Sequence, residues 1–125
     1  MYTLALQRSF EAWQHLIGGD WGAENNPHTH PYRVEVRLEG EGLNEHGYLV
    51  DLVDVEHRLD EIVSAYRNAD LNTLPEFTGL NPSLENFARI LGTRLAASLS
   101  SGNLSAVDVR LWENDSAWAG YRLET

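Results

Sequence analysis

A chain of 125 residues is long enough for one domain with an apolar core and too short for two. It has no Cys, and its nine basic residues are all Arg against 19 acidic ones, so disulfides, thiolate metal sites, a Cys nucleophile, a Schiff-base Lys and a Lys-bearing phosphate loop are all excluded. A net charge of −10, scattered Arg, no apolar run near the roughly 18 residues of a membrane span and no basic-apolar leader in Met1-Tyr2-Thr3-Leu4 predict a cytoplasmic protein without nucleic-acid or membrane partners.

Residues 2–12 alternate loosely, with Leu4, Leu6, Phe10 and Ala12 on even positions, and predict a first strand. Residues 16–27 are rich in Gly, Asn and Pro and read as a loop. From 28 to 38 the alternation is strict: Tyr32, Val34, Val36 and Leu38 share one face, and Arg33, Glu35 and Arg37 the other, the pattern of a half-buried strand. Gly40 and Gly42 mark the turn after it. Asp51 or Asp54 can then cap a helix in which Leu52, Val55, Leu59, Ile62, Val63 and Tyr66 fall at helical spacing. Residues 67–81 are polar and loop-like. Asn81-Pro82 offers an N-cap followed by Pro at the first helical position, Leu84, Phe87, Ala88, Leu91, Leu95 and Leu99 make one stripe, and Gly102-Asn103 closes that helix. Residues 104–112 alternate again, and Ala117–Leu123 can return as a last antiparallel strand. The order is ββααββ, an α+β fold with two helices on one face of an antiparallel sheet.

Three features can carry chemistry. His28 and His30, two residues apart on a strand, point to the same side and continue the face of Tyr32, Val34 and Val36. Two neutral imidazoles so placed make half a zinc site, with His15 the natural third ligand and an open position for substrate; they read equally well as loop histidines that only hydrogen-bond. Glu113 shares parity with Val107, Val109 and Leu111, so it either ends an apolar face toward a ligand or sits in solvent beyond the strand. Glu24, four residues before His28, is a surface acid unless a metal stands beside it, where it becomes a candidate general base. His46, in a turn, and His57, on the solvent side of the first helix, have no such role.

The order of these features resembles the 6-pyruvoyltetrahydropterin synthase / 6-carboxytetrahydropterin synthase family over nearly the whole chain. The residues that carry the resemblance are Phe10-x-Ala12 with His15, His28-x-His30-x-Tyr32, Gly47-Tyr48-Leu49-Val50-Asp51, Leu71-Asn72, Pro82-Ser83-x-Glu85-Asn86, Glu113 and Tyr121. The resemblance implies one pterin synthase-like domain over residues 1–125 and a tunnelling fold whose subunits assemble as trimers or hexamers. It also implies a zinc ion on His15, His28 and His30 and a pterin ring anchored by Glu113 with help from Ser83. The implied substrate is 7,8-dihydroneopterin triphosphate or a related dihydropterin.

The chain departs from the family pattern at four places. Glu24 stands where members commonly carry a catalytic Cys, as in a subgroup that cleaves the side chain, though one residue nearer the first His. Arg67-Asn68 replaces an Asp-His pair, which removes a proton relay. Thr29 replaces the Gly of His-Gly-His. Phe10-x-Ala12 lies one residue too far from His15, so that only a bulge near Trp13-Gln14 would turn His15 inward. The resulting expectation is a divergent zinc-dependent lyase with Glu24 as base; the alternative is a zinc- and pterin-binding homolog that has lost the reaction.

Overall fold

The computed structural model describes residues 1–99 and 102–125. Four strands, β1 (Tyr2–Gln14), β2 (His28–Gly40), β3 (Ala106–Asn114) and β4 (Ala117–Glu124), pair antiparallel in the order β1-β2-β3-β4. Helices α1 (Leu52–Tyr66) and α2 (Leu84–Ser98) both lie between β2 and β3 in sequence, giving the expected ββααββ order.

Period-two burial fixes which face of the sheet is inward. Tyr32, Val34, Val36 and Leu38 of β2 and Val107, Val109 and Leu111 of β3 are buried, and they join Val55, Leu59, Val63, Phe87, Leu91 and Leu95 of the helices in one core. The intervening Arg33, Glu35 and Arg37 face outward, with Arg33 stacked on Trp112 at 4.6 Å. Gly92 sets how closely α2 approaches the sheet, because a Cβ there would come within 3.1 Å of Leu123 and 3.4 Å of Val109. Phe87 anchors the other end of the helix, its ring 5.1–5.9 Å from those of Tyr32, Tyr66, Phe77 and Phe10.

Several boundaries differ from the sequence expectation. The first strand runs on to Gln14, and β3 to Asn114, so Glu113 lies within a strand. Asp51 caps α1, its carboxylate accepting from the Val53 and Asp54 amides, and Leu52 points to solvent. The cap of α2 is Ser83 rather than Asn81, with Pro82 preceding the cap instead of opening the helix. Asn81 is used elsewhere: its side chain pairs with both backbone groups of Ile17. Helix α2 ends at Ser98 because Leu99 turns extended, and residues 100 and 101 of the expected run to Gly102 lie outside the described residues. The polar stretch 67–81 contains two 3-10 turns, Leu71–Thr73 and Pro75–Phe77, that bury Leu71 and Phe77.

Candidate metal and ligand site

The end of the inward face beyond Phe10 and Tyr32 is polar. Pairing of β1 with β2 runs without a register break from Tyr2↔Gly40 to Gln14↔His28, so there is no bulge at Trp13-Gln14. Unbroken alternation therefore turns Gln14, and not His15, onto the inward face, where it is 4% exposed and its amide donates to the Tyr32 hydroxyl. Sequence reading passed over Gln14, although its even parity with Phe10 and Ala12 was the available signal. Burial pushes the Tyr32 phenol well above its ordinary pKa; the Gln14 hydrogen bond opposes that shift, and the charges of Glu113 and Glu24 add to it.

His28 and His30 open β2 on the same side, their Nε2 atoms 3.0 Å apart. His28 Nδ1 lies 2.8 Å from the Asn26 carbonyl oxygen, an acceptor that fixes the ring and turns Nε2 toward His30. Glu24 Oε2 lies 2.8 Å from that same Nε2. Among the described residues, Glu24, His28 and His30 form a group whose ligand atoms all lie within 4.8 Å of one another, and His15 is outside it. His15 follows the last residue of β1, and its Nδ1 is buried without a hydrogen-bond partner.

Asparagines hold this end together. Asn72 accepts from the His15 amide and donates to the His15 carbonyl, both at 2.9 Å. Asn81 does the same for Ile17 at 2.7 and 3.1 Å. Asn25 accepts from the Trp21 amide and donates to the carbonyls of Leu16 and Gly19. Asn86 ties Asn81 in turn through its carbonyl, at 2.9 Å. Each satisfies backbone groups that a loop cannot pair for itself. The short helical turn Gly22–Asn25 that carries Glu24 is thereby fixed, and the Leu16 amide donates to the Glu24 carbonyl at 2.8 Å.

Gln14, Glu24, His30, Ser83, Glu85 and Glu113 line one cavity of about 320 Å³. Glu113 reaches it through a register shift between Trp112↔Trp118 and Asn114↔Ala117, a bulge that leaves Glu113 unpaired with β4. Ser83 Oγ accepts from the Asn86 amide at 3.1 Å, which leaves its own O–H to donate. Arg67 and Asn68 are not here. They line a separate concavity of about 700 Å³ with Ser9, Glu11, Arg33 and Trp112. Asn68, at φ 59, makes the left-handed turn that lets its amide donate to the Glu11 carbonyl, stitching this segment to the edge of β1.

The donor set fits a zinc ion in chemistry and roughly in span. Two nitrogens each about 2.0–2.1 Å from a tetrahedral zinc stand about 3.3–3.4 Å apart, a few tenths more than the 3.0 Å between the imidazoles.

A two-helix, four-stranded antiparallel chain in the order ββααββ, with paired imidazoles at the start of β2 and a carboxylate-lined cavity beside them, has the tunnelling fold. The family model described as 6-pyruvoyl tetrahydropterin synthase matches residues 3–124, and the chain belongs to that family. A Pyrococcus horikoshii protein provisionally named 6-carboxy-5,6,7,8-tetrahydropterin synthase is 29% identical over 114 residues, covering 74% of this chain and 71% of that protein. The fold matches 6-pyruvoyl tetrahydropterin synthase of Caenorhabditis elegans with a TM-score of 0.83 at 23% identity, covering 98% of this chain and 96% of that one. It also matches a Plasmodium vivax 6-pyruvoyltetrahydropterin synthase, a catalytic-residue mutant with Glu changed to Ala, with a TM-score of 0.84 at 13% identity over 99% and 98% of the two chains.

Proposed function

We propose that this protein is a divergent zinc-dependent lyase acting on 7,8-dihydroneopterin triphosphate or a related dihydropterin, with Glu24 as the catalytic base. The observation that carries the reading is the convergence of Glu24, His28 and His30 beside a cavity that also holds Glu113 and Ser83. His28 and His30 would hold the metal; His15, outside this group but with its Nδ1 buried and unpartnered, would have to turn its ring toward them to serve as the third nitrogen. A metal there would polarise the substrate side chain and make its C–H and O–H protons easier to remove. Glu24 is close enough to take such a proton, and a Glu is the residue changed in the Plasmodium vivax catalytic mutant. Glu113 anchors the ring by accepting from its N–H/NH₂ edge, and the Ser83 hydroxyl donates beside it.

Among the described residues none that lines the cavity is Arg, while Glu24, Glu85 and Glu113 all line it. That charge favours a cation and a neutral ring, and a triphosphate would need its counter-charge from outside this cavity. The family relay pair is absent, since Arg67 and Asn68 line another concavity; cleavage of the side chain then asks less of the site than elimination with internal redox transfer. The outer edges of β1 and β4 end the sheet, and their pairing between subunits would give the trimer-based assembly, a hexamer when two trimers stack. No helix of the described residues is long and apolar enough to cross a membrane, and we place the enzyme in the cytoplasm.

The test is turnover of a panel of dihydropterins by the zinc-loaded protein and by Glu24→Gln. Product formation by the wild type and its loss in the variant support the reading. Equal turnover removes Glu24 as base. No turnover by either, with pterin binding retained by both, makes the protein a zinc- and pterin-binding homolog without the reaction.

A further inference from the structure

We infer that Glu24 is itself a ligand of the resting metal, sharing the ion with His28 and His30, and is released to act as base only when substrate enters. The inference rests on the metal-site reading above and adds to it a second state for the carboxylate.

The Asn26 carbonyl can only accept, so at 2.8 Å His28 Nδ1 carries the proton, and a neutral His28 presents a bare lone pair at Nε2. Two atoms crowd that lone pair: His30 Nε2 at 3.0 Å and Glu24 Oε2 at 2.8 Å. One cation among all three atoms relieves both at once, and a carboxylate with two imidazoles is an ordinary donor set for a divalent metal.

The strand that the family pattern uses for the third donor offers none on its inward side. Gln14 occupies that register position and gives its amide to Tyr32, and His15 lies outside the cluster. Glu24 thus supplies the third donor of the site at rest. Its backbone is fixed by Asn25 and by the Leu16 amide, but its side chain is 52% exposed, so the carboxylate can swing without moving the turn. Once swung, it stays within reach of the substrate atoms that displaced it.

The experiment uses the full chain with Zn(II) and Co(II) as probes. Affinity is read by competition with a chelator, and the ligand set by the visible spectrum of the cobalt form. Wild type should bind one metal per chain, and Glu24→Gln should lose at least about tenfold in affinity with an altered cobalt spectrum and unchanged circular dichroism. Glu24→Asp, which keeps the carboxylate, should recover much of the affinity. Adding 7,8-dihydroneopterin to cobalt wild type should move its spectrum toward that of Glu24→Gln, and should barely move the variant. If the wild type binds metal and Glu24→Gln binds it equally well with the same spectrum, the inference is overturned while the metal site stands. If the wild type binds no metal, both readings fall together. A wild-type spectrum that ignores the pterin overturns the release step.

Discussion

The two ends of the inward face are held by different forces. Toward Leu38 and Val107 the sheet and helices meet mainly through apolar side chains, with Asn103 donating to the Leu49 carbonyl at the rim. Toward His28 and Glu113 the chain is irregular, and side-chain amides of Asn25, Asn72, Asn81 and Asn86 take over, pairing with backbone groups that no strand or helix satisfies. The first end supplies stability that is roughly proportional to buried area. The second spends polar groups on position and leaves three carboxylates and two imidazoles beside a cavity. Dividing the labour in this way lets the site be polar without a polar core, since a charge at Leu111 would be uncompensated whereas Glu113, two residues on, has a cavity to face.

Phe87→Ala would most severely break the apolar layer on which the polar end rests. It removes the ring at the centre of four aromatic contacts and should cost about 3–5 kcal/mol of stability in a denaturant titration. A loss below about 1 kcal/mol would mean that this aromatic layer is not a principal source of stability.

Glu113→Gln sharpens the other side of the contrast. It should leave the denaturation midpoint nearly unchanged and weaken binding of a dihydropterin by on the order of 1.5–3 kcal/mol, because an acceptor facing the ring edge becomes a donor. An unchanged pterin affinity in calorimetry would reduce Glu113 to a strand-bulge residue.

Asn72→Ala has the smallest expected effect, about 1–2 kcal/mol, from leaving the His15 amide and carbonyl unpaired. Hydrogen exchange should speed up in residues 15–27 and not in β3. Faster exchange throughout the sheet would show that the polar end is not separately held.

Most of the architecture was legible in the sequence because it follows from period. Tyr32, Val34, Val36 and Leu38 alternate, Val55, Leu59, Ile62, Val63 and Tyr66 recur at helical spacing, and burial of those faces leaves few ways to stack two helices on four strands. The pairing of His28 with His30 and the inward parity of Glu113 were legible for the same reason. The cap of α2 was not, because Asn81 and Ser83 are both good capping residues, and only the position of Ile17 across the fold decides which is free to cap.

The sequence by itself determined the fold and the two imidazoles on one face, since these are set by local spacing along regular elements, and it gave Glu113 the parity of Val109 and Leu111. Tertiary structure alone decided that Gln14 rather than His15 turns inward, that Glu24 closes on His28, and that Arg67 and Asn68 line a different concavity. Those outcomes depend on an unbroken strand register and on asparagines that bridge segments up to 64 positions apart. A hydrogen bond between distant loops leaves no period in the chain, so its partners become visible only when the fold brings them together.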